Sequence, residues 1–233
     1  MSAVPSPGEI LNDRQVVDEL LSDLVISPII SADQIGPTVD LRLGAEFVVK
    51  KMNRLPYYDL IDFHKKSQLD GMAINKYYET VKILQPTTPF ILHPGQFALG
   101  STLEFVRLPP NIGAQLEGRS GWAREGLNVH STAGLIHPGH EGVIVFELQN
   151  LGTHPLPLFP GTRVAQLLFY RLRDNSRRPY SAKEGGRPNR YVGTVNTAFG
   201  RPWEEWEFEC LSKMIRPEGG SPGGSGQPPP SAV

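Results

Sequence analysis

Apolar and polar positions follow two rhythms along the chain. Behind Asn12, with Gln15 three residues on, Val16, Val17, Leu20, Leu21 and Leu24 recur at helical spacing. Asn12 and Gln15 suit the reciprocal hydrogen bonds of a capping box, so the pattern predicts one amphipathic helix near the N-terminus. Gly36-Pro37 then introduces Val39-Asp40-Leu41-Arg42-Leu43-Gly44. Its alternation predicts a half-buried strand with Asp40 and Arg42 on the polar face. Between residues 50 and 85 the pattern blurs. Leu60, Ile61 and Phe63 suggest a strand, and Tyr77, Tyr78, Val81 and Ile83 fit helix or strand alike.

From Pro89 onward the period is two. Short apolar runs at 90–92, 97–99, 103–106, 114–116, 143–148, 156–158 and 164–169 are separated by turns, an all-β rhythm. Pro94-Gly95, Pro138-Gly139 and Pro160-Gly161 each pair a preset φ with a residue that accepts positive φ. A jelly roll or related barrel closes this many strands economically. The most regular run places Ile144, Phe146 and Leu148 on one face and Val143, Val145 and Glu147 on the other. A carboxylate on an otherwise apolar face needs a partner or a task. Just before it, Ser120 and Arg124 would project together if residues 119–124 form a helical turn.

Past Leu172 the apolar pattern gives way to Arg173, Arg177, Arg178, Lys183, Arg187 and Arg190, interrupted by Gly185, Gly186 and Pro188. A flap over an anion and a solvated linker both fit this basic segment. The expected organisation is a loose leader over 1–9, one β domain over 10–211 with a mobile closing segment at 173–195, and a disordered tail over 212–233. Ten of the eighteen residues from 216 to 233 are Gly or Pro.

Composition narrows the chemistry. The 233 residues carry a net charge of −1, so no global field recruits nucleic acid or anionic membrane. No apolar run approaches a membrane span, and a cytoplasmic protein is expected. A single cysteine, Cys210, excludes an internal disulfide and a thiolate zinc site. His137 and His140 lack metalloprotease spacing, and Pro138-Gly139 between them favours a turn of surface histidines over a metal site. Ser120 lacks a Gly-x-Ser-x-Gly elbow, and no Rossmann or Walker loop occurs. For Glu147 a rim ion pair and a catalytic carboxylate remain open, for Arg124 a surface salt bridge, and for Gln166 a satisfied strand end.

Three runs then carry a family likeness: Pro89–Glu104 (PFILHPGQFALGSTLE), Leu116-Glu117-Gly118-Arg119-Ser120, and His130-Ser131-Thr132-Ala133-Gly134. Together they resemble the dCTP deaminases, relatives of trimeric dUTPases, and the likeness extends from Leu11 to about Tyr191. The resemblance implies a mainly β, distorted barrel or jelly-roll subunit with an N-terminal helix, a homotrimer with active sites at subunit interfaces, and deamination without zinc. The zinc deaminases need a cysteine-bearing cluster that this chain lacks.

By position, the resemblance makes Glu147 the general base and acid for a water attacking cytosine C4. Ser120 and Arg124 would position water, base and carboxylate, and the Ala133 carbonyl would orient the water. Arg119 and Ser120 would meet phosphates, with Mg²⁺ bridging phosphate oxygens. Further nucleotide contacts fall at Gly121, His137, Val145, Phe146, Gln166, Tyr180, Arg190 and Tyr191. His137 stands where relatives carry a sugar-contacting aspartate, Gly121 replaces a second serine, and Thr194 replaces a glutamine. The expected reaction is dCTP to dUTP and ammonia. Thr132-Ala133-Gly134 also matches relatives that continue to dUMP and diphosphate. A dUTPase without deamination, and a nucleotide-binding regulator that lost chemistry, are the competing readings.

Overall fold

A computed structural model describes residues 8–51, 77–180, 210 and 213–214. The chain divides into two compact units, Met1–Lys51 with Tyr78–Phe199, and Met52–Tyr77 with Gly200–Val233. Every strand among the described residues lies in the first. The readings at 60–63, the basic residues from Lys183 onward and the Gly/Pro-rich tail lie outside the described residues.

Helix α1 (Asp13–Leu20) begins with the expected capping box. Asn12 Oδ1 accepts from the Gln15 N–H at 3.1 Å, and Gln15 Oε1 accepts from the Asn12 N–H at 2.9 Å. Val16 is fully buried, whereas Val17 is 41% exposed and Leu21, the C-cap residue beyond the helix end at Leu20, is 83% exposed. Strands β1 (Val25–Ser27), β2 (Val39–Arg42), β3 (Glu46–Lys50) and β4 (Tyr78–Lys82) follow. Tyr78–Lys82 is therefore a strand, fixed by antiparallel pairing with β3.

Strands β5 (Phe90–Leu92), β6 (Phe97–Arg107) and β7 (Ile112–Gly118) precede a short helix α2 (Ser120–Arg124). Strands β8 (Leu127–Asn128), β9 (Leu135–Ile136), β10 (Glu141–Asn150), β11 (Leu156–Leu158) and β12 (Arg163–Arg171) follow. One sheet runs β4-β3-β6-β10-β8 with β1 also on β6, a second runs β2-β12-β7-β9, and β11 pairs with β5. All pairings are antiparallel. The glycines of the three Pro-Gly turns have φ of +72°, +82° and +85°, as their turn chemistry requires.

Alternate residues of β2, β6, β7, β10 and β12 fill one core, including Leu41, Ala98, Leu116, Phe146 and Phe169. Phe47 stacks on Phe90 with centroids 4.2 Å apart. One polar group enters this core against expectation. Arg42, placed by alternation on the polar face of β2, is 7% exposed and ion-pairs with the fully buried Glu104 at 3.0 Å. Its guanidinium is retained there because a carboxylate from β6 meets it. Among the described residues no helix is long and apolar enough to cross a membrane.

Candidate active site

Glu147 is aimed by the geometry of β10. Opposite Ile144, strand β6 supplies three residues: Val143 pairs with Phe105 and Val145 with Ser101. Thr102 bridges the irregularity, its Oγ1 accepting from the Ile144 N–H at 3.0 Å and donating to the Glu104 carbonyl at 2.6 Å. Ile144, Phe146 and Leu148 point into the core, while Val145 and Glu147 are half-buried on the other face. Val143, expected on that second face, is also buried beside the irregularity. The Phe146 side chain has no exposed surface, so a ligand contact at that position falls to main-chain atoms.

The Glu147 N–H donates to the Val129 carbonyl at 2.9 Å, which ties β10 to the loop carrying His130 to Gly134. In return the Ser131 N–H donates to Glu147 Oε2 at 2.8 Å. The other oxygen, Oε1, has no partner among the described residues. Ala133 is exposed in the same loop, whose neighbouring Gly134 carbonyl accepts from the Leu116 N–H at 2.7 Å.

The Ser120–Arg124 turn is helical, as the spacing suggested, and Arg119 caps it in an extended conformation. Trp122 packs on the core, leaving Ser120, Gly121 and Arg124 exposed. Gly126, at φ +92°, then turns the chain into β8. Arg119 is anchored by its N–H to the Val164 carbonyl at 3.1 Å and by an ion pair with Asp40 at 3.0 Å. Gln166 lies alongside, its Oε1 accepting from Thr38 Oγ1 at 3.0 Å and its Nε2 donating to the Gly118 carbonyl at 3.4 Å. Both ends of that amide are thus used within the fold. Among the described residues neither Ser120 nor Arg124 hydrogen-bonds or ion-pairs with Glu147.

A third piece of the candidate site surrounds His137. The His140 N–H closes a turn onto the His137 carbonyl at 3.1 Å, and Tyr180 N–H donates to the Pro138 carbonyl at 2.7 Å. The His137 and Tyr180 rings lie 5.4 Å apart at 48°. They line a recess of about 210 Å³ with Pro138, Ser176 and Arg178. His140 corrects the reading of two surface histidines: it is 7% exposed, and burial pushes its pKa below the ordinary 6.5. The nearby His137 charge acts in the same direction, while Gly142 and Glu141 oppose it. Arg190, Tyr191 and Thr194 lie outside the described residues.

Asp40, Arg163 and Asp33 form a group that the sequence pattern did not single out as functional. Arg163 reaches Asp40 at 3.3 Å and Asp33 at 3.2 Å. The available signal was only the alternation around Asp40. Among the described residues no three His, Cys, Asp or Glu side chains gather as a metal site.

Comparisons with known proteins bear on these pieces. A dCTP deaminase-like family model matches residues 10–172. The chain is 37% identical over 203 residues to a "dCTP deaminase, dUMP-forming" of Methanosphaera stadtmanae, covering 85% of this chain and 96% of that protein. It is 41% identical over 181 residues to a "dCTP deaminase" of Haloarcula marismortui, covering 76% and 88% respectively. In fold it is similar to the 2′-deoxycytidine 5′-triphosphate deaminase of Agrobacterium tumefaciens, at TM-score 0.53 and 20% identity. That match covers 71% of this chain and 49% of the other. With the family model matched over residues 10–172 and relatives 37% and 41% identical over most of the chain, the chain belongs to the dCTP deaminase-like family.

Proposed function

We propose that the protein deaminates dCTP to dUTP and ammonia, with Glu147 as general base and then general acid. The observation that carries this reading is the Glu147 carboxylate itself. One oxygen is held by the Ser131 N–H at 2.8 Å, and the other has no partner among the described residues. A half-buried carboxylate held in this way can accept a proton from water through Oε1 while its orientation stays fixed. The water's oxygen adds to cytosine C4, and Glu147 returns the proton toward the departing ammonia. Ser120 and Arg124 supply a hydroxyl and a guanidinium to water and base, and the Ala133 carbonyl orients the water.

The phosphates belong beside Arg119 and Ser120, and the sugar toward His137 and Tyr180, with Val145 and the Phe146 main chain near the base. Arg190 and Tyr191 complete the nucleotide contacts from the closing segment. Asp40, the carboxylate nearest Arg119, already faces two guanidinium groups. Mg²⁺ therefore fits as an ion carried by phosphate oxygens and water, neutralising phosphate charge, and the chemistry at C4 proceeds without zinc. The reading includes a homotrimer, in which a neighbouring subunit would bring its Ser120–Arg124 turn to Glu147. A nucleotide substrate accords with the cytoplasmic location expected from the sequence.

A second step, to dUMP and diphosphate, is favoured by the Thr132-Ala133-Gly134 run and by the dUMP-forming relatives. Both steps are tested by supplying dCTP with Mg²⁺ and resolving ammonia, dUTP, dUMP and diphosphate. Glu147→Gln should reduce ammonia release by about 10² to 10⁴-fold, the range of a lost acid–base group, while KM changes little. Ammonia release at the wild-type rate from this variant would refute the assignment.

A further inference from the structure

Strand β2 buries Val39 and Leu41 and leaves the Asp40 side chain at its outer face, 14% exposed. Two guanidinium groups converge on one oxygen of that carboxylate. Asp40 Oδ2 lies 3.0 Å from Arg119 Nη1 and 3.3 Å from Arg163 Nη1, and Arg163 Nη2 lies 3.2 Å from Asp33 Oδ2. The backbone of Asp40 is fixed from the interior. Its carbonyl accepts from Gln34 Nε2 at 2.8 Å, and the same nitrogen donates to the buried Glu104 at 3.1 Å.

We propose that Asp40 is the positioning residue for Arg119, and that Arg163 shares its carboxylate so that Arg119 meets an anionic phosphate without facing an uncompensated negative charge. The inference rests on the nucleotide reading given above and adds two residues to it. A guanidinium carries five N–H donors in a rigid fork. The ion pair engages Arg119 at Nη1; its Nε and Nη2 have no partner among the described residues. Those donors remain for a bidentate contact with phosphate oxygens. A carboxylate beside Arg119 would by itself repel an incoming phosphate. Arg163 offsets that charge, while its own link to Asp33 holds it in place. Asp40 thereby restricts a side chain that would otherwise sample many rotamers, and it leaves the Nε and Nη2 donors of Arg119 to the phosphate.

The test measures dCTP affinity by calorimetry in a Glu147→Gln background, with ammonia release by the otherwise unmodified protein as control. Asp40→Asn should weaken dCTP binding at least tenfold. Added to Arg119→Ala it should weaken binding by less than twofold further, because Asp40 acts through Arg119. Arg163→Met, which leaves the interior of β2 intact, should weaken binding at least threefold with an unchanged melting temperature. Unchanged affinity in Arg163→Met, or losses from Asp40→Asn and Arg119→Ala that multiply independently, would overturn the proposal. If the unmodified protein binds dCTP but releases no ammonia, the deamination reading falls while the same binding cycle still judges Asp40. If it releases ammonia and Asp40→Asn binds normally, only the Asp40 proposal falls.

Discussion

Replacing Glu104 by Gln removes one charge from the core and leaves its shape almost unchanged. Glu104 is fully buried and joins β6 to β2: Oε1 lies 3.0 Å from Arg42 Nη1 and Oε2 accepts from the Arg42 N–H at 2.8 Å. Gln34 donates a third bond at 3.1 Å and also accepts from Arg42. With the amide in place the Arg42 cation stays buried and loses its counter-charge. Removing one partner of a buried pair costs about 3–5 kcal/mol. Independently, two unit charges 4 Å apart at an effective dielectric of 20 attract by about 4 kcal/mol. We therefore expect a loss of about 3–4 kcal/mol. At about 2–4 °C per kcal/mol for a domain of this size, the melting temperature should fall by roughly 6–16 °C. Urea and thermal unfolding followed by circular dichroism, at one fixed protein concentration, measure it. Arg42→Met combined with Glu104→Gln should recover most of the loss, since both charges leave together and the amide oxygen can still accept a buried hydrogen bond. A cost below about 1 kcal/mol for Glu104→Gln, or a double variant that simply sums the single losses, would refute the reasoning.

Two further perturbations probe the turn that carries His137. At Gly139, φ is +82° and an added Cβ would lie 2.7 Å from Pro179 Cβ and 3.0 Å from the Tyr180 nitrogen. Gly139→Ala should release the segment over Ser176 to Tyr180, and the backbone term alone, about 1–2 kcal/mol, corresponds to exchange of the Tyr180 amide roughly 5–30 times faster. Amide protection equal to wild type would show that the turn tolerates the methyl group. Burial holds the His140 pKa below the ordinary 6.5, so the unfolded chain takes up the proton first as pH falls. Stability from this group is complete above pH 6.5 and declines below it toward the depressed folded value. His140→Gln should flatten the fall in melting temperature between pH 7.5 and 5.5, and parallel curves for the two proteins would remove His140 as the cause.

What could be read from the sequence was what neighbours in the chain determine. The capping box at Asn12 and Gln15, the three Pro-Gly turns and the alternation through Glu147 each depend on residues a few positions apart. The two runs at 97–99 and 103–106 are one strand, β6, whose middle the apolar pattern could not register. Gly100, Ser101 and Thr102 are buried there, and Thr102 satisfies its hydroxyl on the Ile144 N–H and the Glu104 carbonyl. The burial of Arg42 was hidden for a related reason: its counter-charge is 62 residues away and its neighbours in β2 alternate as they would on a surface.

The same distinction separates the parts of the candidate site. Glu147 stands out as a carboxylate on an otherwise apolar strand face, whereas Ser120 and Arg124 are singled out by the family resemblance. Asp40 does not stand out, because an aspartate on a strand's polar face needs no explanation until Arg119 and Arg163 are found beside it. These three residues come from β2, the end of β7 and the start of β12, which are adjacent only in the folded sheet. The motif draws attention to Arg119, but the carboxylate that pairs with it is found only from strand order. Local pattern can single out a candidate side chain, while its partner is placed by register, and the β2–β12–β7 register is what brings Asp40 to Arg119.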